Sequence, residues 1–376
     1  MIKITDKSRC CGCEACRNIC PRRCITMKAD SEGFVYPEAD AAACVACGLC
    51  EEVCPELHAG EQRRPVAVYA ARHPAESVLL NSSSGGVFTF LAERILDRGG
   101  VVFGARFNEK WEVVHDDAET REAFVRFRGS KYVQSRIGDT YRQAERFLKE
   151  GRMVLFTGTS CQIAGLKQFL RREYENLLAV DVICHGAPSP LVWQRYLEDI
   201  SGGDMGKITA VSFRDKQDGW RKYCLSVKAD AVELSHVRPY AGIYSRLFLF
   251  DLMSRPSCHS CPAKGGRSCS DMTLGDFWGI ERVDSSFDDD RGCSVVLVYN
   301  PVWSAILEGL DIRPVAYDQV LPGNPSIERS VTPSINRKYL FRLLQRGQHV
   351  VDIHRLCFDP SFVRRIRRLL FRKFGV

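Results

Sequence analysis

The sequence predicts an α/β protein, α+β overall, in which a small cysteine-rich module precedes a larger mixed α/β domain. Eight of the ten cysteines between Cys10 and Cys54 form two runs of identical spacing. Beyond residue 65, apolar runs of strand type alternate with segments of helical pattern, which is typical of a sheet covered by helices. We therefore divide the chain into residues 1–60, 66–335 and 336–376, the last being a helical segment with a basic amphipathic tail.

Each cysteine run has the form Cys-x2-Cys-x2-Cys-x3-Cys-Pro. This spacing is that of bacterial two-cluster ferredoxins, in which three cysteines of one run hold a 4Fe–4S cluster and the fourth holds the other cluster. Zinc suits a Cys-x2-Cys pair as well, but it requires neither the third cysteine nor the proline. The pattern assigns one cluster to Cys10, Cys13, Cys16 and Cys54, and the second to Cys44, Cys47, Cys50 and Cys20.

The segment between the two runs predicts a β-hairpin. Strand-like residues 25–27 and 34–36 flank the turn sequence of residues 30–33. After Pro55, residues 56–65 are polar and read as a linker, and an apolar run at 66–71 opens the next domain. The first 60 residues thus have the organisation of a bacterial ferredoxin-like module.

Composition favours metal ligation in a reducing cytosol. The 376 residues include 18 cysteines, and the stretch from Met1 to Asp6 contains no apolar signal core. Cysteines of Cys-x2-Cys spacing in such a chain are more typical of metal sites than of disulfides. No window approaches the roughly 18 apolar residues that a membrane-spanning helix needs. We therefore expect a cytoplasmic protein.

The net charge of +7 does not indicate nucleic-acid binding. Six basic residues and no acidic ones lie between residues 363 and 376, which leaves a charge of +1 on the rest. Apolar residues at 362, 363, 366, 370 and 374 predict an amphipathic helix in this tail. We favour a helix packed on the body, with contact to an anionic membrane surface or an acidic partner such as a ferredoxin as the alternative.

Four further cysteines are candidate ligands in the larger domain. Cys161 follows a buried-type strand at 153–157 and begins a helix at 162–173, and Cys184 follows a strand at 177–183. Ligands of open α/β sheets bind at these carboxyl ends. With Cys258 and Cys261, the spacing allows a third cube, a structural zinc site or scattered buried thiols. Cys269 is a rival for the fourth position.

The remaining cysteines show no ligand spacing, and we expect most of them to be core thiols. They are Cys11, Cys24, Cys224, Cys293 and Cys357.

A serine–glycine segment precedes an apolar helix that begins near residue 87. Ser83, Ser84, Gly85 and Gly86 can form a backbone nest whose amides suit a phosphate. The alternative is that Ser84 caps the helix. Lys131 is a candidate anchor for an anionic cofactor, against the default of a solvated lysine. No G-x-G-x-x-G sequence occurs, which argues against an ordinary dinucleotide site.

Several segments in order resemble the coenzyme F-420 hydrogenase/dehydrogenase β-subunit family. The resemblance extends from about residue 66 to residue 299. Ser160 stands where the family commonly has proline. The segments are Ser-Ser-Gly-Gly at 83–86, Gly-Ser-Lys-Tyr at 129–132, Gly-Thr-Ser-Cys-Gln at 158–162, Asp-Val-Ile-Cys-His-Gly-Ala-Pro-Ser at 181–189, Phe-Arg-Asp-Lys at 213–216 with Gly219 and Trp220, Cys-x2-Cys at 258–261, and Thr-Leu-Gly-Asp-Phe-Trp-Gly at 273–279.

The resemblance implies an iron–sulfur flavoprotein oxidoreductase with a flavin-binding catalytic domain. Electrons from a ferredoxin or another redox protein would pass through the 4Fe–4S clusters to FAD and on to a small-molecule acceptor. It implies a third cluster at Cys161, Cys184, Cys258 and Cys261, and Lys131 as a catalytic flavin contact. The implied FAD-binding residues are Ser83, Ser84, Gly85, Gly86, Ser130, Lys131, Tyr132, Thr157, Gly158, Thr159 and Gln162.

Members of the family act on a deazaflavin coenzyme, on chlorophyll precursors or on unknown substrates. The fusion to a ferredoxin module resembles bacterial members found among polysaccharide-biosynthesis genes. An electron-relay subunit of a larger redox complex and an F-420 reductase or dehydrogenase are the alternatives, and a zinc-holding scaffold is a remote one. His185, Arg214 and Asp215 are candidates to line a substrate pocket, and buried salt bridges or helix caps explain them at least as well.

Overall fold

The computed structural model describes residues 1–230 and 232–358. Its N-terminal module contains a hairpin between two short helices, as the sequence predicts. Strands β1 and β2 pair antiparallel, with Ile25 opposite Ala39, and the Asp30 side chain accepts hydrogen bonds from backbone amides in the turn. The elements are α1 (Ala15–Ile19), β1 (Ile25–Ala29), β2 (Val35–Ala39) and α2 (Leu49–Glu52).

The larger domain alternates strands and helices, and the predicted mixed α/β class is confirmed. In chain order the elements are β3 (Ala67–Arg72), α3 (Glu76–Leu80), α4 (Val87–Leu96), β4 (Val101–Phe107), β5 (Val113–Ala118), α5 (Arg121–Phe124), α6 (Thr140–Lys149), β6 (Val154–Thr159), α7 (Ser160–Leu170), β7 (Leu177–Val182), α8 (Pro190–Ile200), β8 (Ile208–Asp215), β9 (Cys224–Ala229), β10 (Val232–Val237), α9 (Ile243–Leu249), β11 (Met272–Asp276), β12 (Ser294–Val298), β13 (Asp311–Pro314), α10 (Tyr317–Val320), α11 (Arg337–Gln345) and α12 (Val350–Phe358).

Eight strands form one mixed sheet in the order β13-β3-β12-β11-β7-β6-β4-β5. The central strands β4, β6, β7 and β11 run parallel, and the other pairs in the sheet are antiparallel. Strand β7 is buried over all but its last residue and β6 over its apolar first half, as expected of parallel strands covered on both faces. Their carboxyl ends carry the segments that lead to Cys161 and Cys184.

A second, three-stranded sheet in the order β10-β9-β8 packs with α8, α9, α11 and α12 around an aromatic core. Trp193, Phe213 and Tyr244 lie at its centre, with ring centroids between 4.9 and 5.8 Å apart. Between Cys184 and the segment that contains Cys258, the chain passes through this core.

The N-terminal module docks on the larger domain through hydrogen bonds to backbone carbonyls. Arg142 of α6 donates to the carbonyl oxygens of Asn18 at 2.6 Å and Cys20 at 3.1 Å. In return, the Asn18 amide donates to the carbonyl of Gly138 at 2.9 Å. The first cysteine run is therefore held against α6 and α7.

Residues Pro301–Leu307 form a 3₁₀ helix that the Asn300 side chain caps. Two sequence expectations need adjustment. Helix α7 ends at Leu170 rather than at residue 173, because Arg171 takes a left-handed conformation. The linker at 56–65 has no helix or strand, but it packs on the larger domain, where the Arg63 amide donates to the Gly265 carbonyl.

The basic helix predicted at 362–374 lies outside the described residues. Within the part of the chain that the structure describes, every helix is too short or too polar to cross a bilayer.

Candidate metal centres and cofactor site

Four cysteines converge near the surface of the N-terminal module, and we call them the outer thiol set. Cys47 is exposed and Cys44 is partly buried, whereas Cys20 and Cys50 are buried. Backbone amides point at two of the sulfurs, since the Ile2 amide donates to Cys50 Sγ at 3.3 Å and the Ala46 amide to Cys44 Sγ at 3.4 Å. The set, which lines one pocket, comprises Cys20, Cys44, Cys47 and Cys50.

A second pocket of the N-terminal module is lined by Cys11 and by four other cysteines, and we call these four the inner thiol set. All four are buried. Cys20 thus lies with the second run and Cys54 with the first, which is the exchange that the spacing predicts. The inner thiol set comprises Cys10, Cys13, Cys16 and Cys54.

The third thiol set comprises Cys161, Cys184, Cys258 and Cys261, which three separate segments supply. Cys161 stands in the first turn of α7, Cys184 follows β7, and the last two flank the end of a 3₁₀ helix. The four thiols lie close enough to influence one another electrostatically. Burial raises the pKa of Cys184 to about 12 and that of Cys261 to about 11, so iron must displace their protons.

Cys269, the rival for the fourth position, lies elsewhere. A Cβ atom on Gly60 would stand 3.2 Å from its sulfur, and the thiol donates to the Arg267 carbonyl at 3.8 Å. The structure therefore brings Cys258 and Cys261, rather than Cys269, to Cys161.

Cys11 connects the inner and third thiol sets. Its thiol lies close enough to the thiols of Cys13 and Cys161 for both of them to shift its pKa, which is well above the ordinary value. Helix α7 also approaches the inner set directly, since a Cβ atom on Gly165 would stand 2.9 Å from Cys13 Sγ. Sequence reasoning treated Cys11 as a core thiol, because one residue next to Cys10 carries no spacing signal.

Cys24 also lies beside a thiol set rather than in an ordinary core. Its sulfur is 3.4 Å from that of Cys20, and it lines the same pocket as the outer thiol set.

Two buried cations accompany the inner and third thiol sets. Arg255 is 0% exposed and donates to Cys10, and Lys264 is 7% exposed and donates to the Cys184 carbonyl. A buried cation is costly unless negative charge balances it. Iron–sulfur cubes bound by thiolates supply such charge, so the residues present fit clusters at both sites.

The serine–glycine segment turns into α4 without a side-chain cap. Gly86 is the N-cap residue at φ 78°, and the hydroxyl of Ser84 donates to the Cys293 carbonyl at 2.8 Å. The expectation that Ser84 caps the helix is therefore wrong. Lys216 fixes the turn by donating to the Ser84 carbonyl at 3.1 Å. The first-turn amides of α4 remain without a side-chain acceptor, which suits a phosphate.

Two segments expected to bind FAD meet at this turn. The Ser83 hydroxyl accepts a hydrogen bond from the Ser130 amide at 2.7 Å. The Gly85 amide donates to the Ser294 hydroxyl at 2.9 Å, and a Cβ atom on Gly85 would clash with the Ala71 carbonyl. Glycine is therefore required where this turn crosses the end of β3.

Lys131 lies beside these residues, but its ammonium group is hydrogen-bonded to backbone carbonyls. It donates to the carbonyls of Phe127, Arg128 and Gly129 at 2.9 to 3.1 Å, which uses its three protons. Burial lowers the pKa of Lys131 to about 7. Direct contact between Lys131 and a flavin stays a prediction.

His115 is a buried polar residue that sequence reasoning missed. Its Nε2 donates to the Thr157 carbonyl at 3.0 Å, whereas its Nδ1 has no partner among the described residues. Burial lowers the pKa of His115 to about 4, so the ring is neutral at pH 7. The ring lies next to Gly158, and its free Nδ1 can accept one hydrogen bond.

The other expected FAD contacts have partners within the protein. Gln162 caps α7 reciprocally with Thr159, and its Nε2 donates to the Ser135 hydroxyl at 2.9 Å. Tyr132 stacks on Phe248 with ring centroids 5.0 Å apart. These side chains position backbone at the carboxyl end of β6.

Of the three expected pocket residues, Arg214 forms a buried salt bridge. Its guanidinium binds both carboxylate oxygens of Asp276, at 2.6 and 3.0 Å, and lies 3.9 Å from the Tyr223 ring centroid. Trp220 Nε1 also donates to Asp276, at 2.9 Å. His185 pairs with Asp251 at 2.8 Å at a partly exposed position, and the Asp215 carboxylate accepts a hydrogen bond from the Gln217 amide in the turn after β8.

Two family descriptions match segments of this chain. Residues 151–315 match the C-terminal part of the beta subunit of coenzyme F-420 hydrogenase/dehydrogenase, and residues 9–57 match the 4Fe–4S dicluster domain. Among solved structures, a chain from a xenon derivative of the F-420-reducing NiFe hydrogenase complex of Methanosarcina barkeri is similar, with 18% identity and a TM-score of 0.48 over 78% of this chain and 91% of that one. None of the curated proteins matches this chain.

Proposed function

We propose a route for electrons through this chain, in which residues 151–315 match the coenzyme F-420 hydrogenase/dehydrogenase β-subunit family and residues 9–57 match the 4Fe–4S dicluster domain. The chain is an iron–sulfur protein of the oxidoreductase type. The proposed route runs from the outer thiol set through the inner set to the third set, then to FAD and a small-molecule acceptor. The close approach of the inner and third sets, with α7 packed against Cys13 and Cys11 beside both Cys13 and Cys161, is the observation that carries the proposal.

The outer thiol set is the proposed point of entry. Cys47 is exposed, so a ferredoxin or another redox protein can approach the cluster held there without rearrangement of the chain. The inner set is buried and touches the larger domain, which makes it the intermediate. Each transfer between clusters moves one electron.

The step from the inner set to the third set depends on close packing. The Cys11 thiol lies beside a proposed ligand of each of these two sets, and Gly165 lets α7 lie against Cys13. The residues of the larger domain thereby bring a third cluster next to the docked module.

FAD is the proposed terminal cofactor, and its chemistry when bound is the exchange between one-electron and two-electron transfer. The uncapped amides of α4, with Ser83 and Ser130 beside them, would hold its phosphates. His115 offers a free acceptor near Thr157, where the flavin ring would lie. The acceptor is proposed to be a small molecule, and polysaccharide biosynthesis is the setting that the ferredoxin fusion favours.

The test is reduction of the bound flavin by a chemically reduced ferredoxin under anaerobic conditions. Cys258→Ala is expected to retain the two N-terminal clusters and the flavin but to lose most of the rate of flavin reduction. Cys357→Ala, which removes a buried thiol in the aromatic core, is the matched control and is expected to react like the wild type. Flavin reduction at the wild-type rate in Cys258→Ala would show that electrons bypass the third set.

A further inference from the structure

The buried cations are distributed unevenly over the three thiol sets. Arg255 adjoins the inner set and Lys264 adjoins the third set, and both are almost fully buried. The outer set has Arg22 at its rim, and that side chain is exposed. Because water screens exposed charges and protein does not, the buried cations act far more strongly on their neighbours.

Arg255 connects the inner set to the third. Its Nε donates to the Cys10 carbonyl at 2.6 Å, and its Nη2 lies 3.5 Å from Cys10 Sγ and 2.9 Å from the Val35 carbonyl. Its Nη1 donates to Gln134 Oε1 at 2.9 Å. The amide of Cys258 in turn donates to the Arg255 carbonyl at 3.0 Å. Arg255 therefore contacts a proposed ligand of the inner cluster and one of the third cluster.

The hydrogen bonds of Arg255 go to a thiol and to uncharged oxygens rather than to a carboxylate, while its charge also acts on the buried carboxyl of Glu56. The groups that accept its hydrogen bonds are carbonyls, an amide and the Cys10 sulfur. Arg337, another buried arginine in the same region, instead pairs with the Glu32 carboxylate at 3.0 Å. The chain also makes room for the guanidinium, because a Cβ atom on Gly12 would stand 2.7 Å from Nη1.

Lys264 lies next to the third thiol set, as Arg255 lies next to the inner set. Its ammonium group donates to the Ser326 carbonyl at 2.6 Å and to the carbonyl of Cys184, a proposed ligand. Its charge acts on the thiols of Cys184 and Cys261.

We propose that Arg255 and Lys264 are positioning residues that raise the reduction potentials of the inner and third clusters. Reduction adds one negative charge to a buried cube, and a buried cation stabilises that charge. Without the cations, burial would make these two clusters harder to reduce than the exposed outer cluster. With the two cations present, an electron that enters at the outer cluster is held at the inner and third clusters.

This inference rests on the proposed clusters, and potentiometric titration followed by electron paramagnetic resonance tests it. The iron–sulfur signals are assigned with Cys47→Ala and Cys258→Ala. Arg255→Gln is expected to lower the inner midpoint potential, Lys264→Gln to lower only the third, and neither to move the outer one. Arg255→Lys keeps the charge and is expected to stay near the wild type. Arg337→Gln, which removes a carboxylate-paired guanidinium, is expected to change none of the three.

Iron-replete variants whose inner and third potentials do not move would overturn the inference, and so would an equal shift of all three potentials. If Arg255→Gln does not retain iron, the midpoint potential of the third cluster in Lys264→Gln tests the inference alone. A wild-type protein without iron or acid-labile sulfide would instead refute the proposed function. Normal iron content with unmoved potentials would refute only the role of the cations.

Discussion

Gly165 is the residue at which α7 touches the inner thiol set. In a helix interior, alanine is normally more stable than glycine by about 0.5–1 kcal/mol. Here a Cβ atom would stand 2.9 Å from Cys13 Sγ and 3.1 Å from the Tyr141 hydroxyl oxygen, and overpacking costs about 1–3 kcal/mol. We expect Gly165→Ala to lower the melting temperature and to release iron from the inner set.

Gly206→Ala is the matched control for this substitution. A Cβ atom there would meet only the end of the Asp204 side chain, at 3.3 Å. Thermal unfolding and iron content should both stay near the wild type. A Gly165→Ala protein that is more stable than the wild type would mean that α7 and Cys13 are farther apart than described.

Lys131 gives a prediction for pH dependence. Burial lowers its pKa to about 7 in the folded chain, from an ordinary value near 10.5. Between these values the unfolded chain binds more protons at this residue than the folded chain, so its contribution to stability rises with pH. The melting temperature of the wild type minus that of Lys131→Met should therefore increase from pH 7 to pH 8.5. A difference that is constant over this range would contradict the buried state of the lysine.

At the scale of the element, the two cysteine runs exchange their last members. Cys20 belongs to the first run but lines the pocket of the outer set, and Cys54 lines that of the inner set. Each single substitution is therefore expected to remove one cube, about four irons, and to leave the other. Cys20→Ala should lose the outer cluster and Cys54→Ala the inner one, as measured by iron analysis and paramagnetic resonance. Loss of the inner signal in Cys20→Ala would reverse the assignment.

The elements also show how far the sequence predicts the site. The repeated run predicts the partition of eight thiols, because the exchange of the fourth cysteine is a property of its spacing. The strand ends at Cys161 and Cys184 could be predicted from apolar runs alone. The contacts of Cys11, His115 and Arg255 could not, because each depends on segments that are distant in sequence and meet only after folding. The Ser84 hydroxyl likewise bonds to Cys293, 209 residues away, instead of capping α4.

At the scale of the whole molecule, the module and the larger domain act together only while they are docked. Arg142 donates to carbonyls of Arg17, Asn18 and Cys20, and charged hydrogen bonds contribute about 1.5–3 kcal/mol each when they are well made. We expect Arg142→Ala to increase hydrogen exchange in residues 10–24 and to slow electron transfer from the outer set to the third. Arg146→Ala, one turn along α6, removes an exposed side chain that lies near Glu150 and over the Phe147 ring, and it should change neither. Unchanged exchange in Arg142→Ala would mean that other contacts suffice for docking.

The account as a whole requires the thiolates of three sets to hold iron rather than zinc. Iron, zinc and acid-labile sulfide in the anaerobically purified chain test this requirement most directly. Three cubes predict about twelve irons and as many sulfides per chain, with little zinc. About eight irons would remove the third cluster and the route to FAD, and zinc without sulfide would contradict the account at every set.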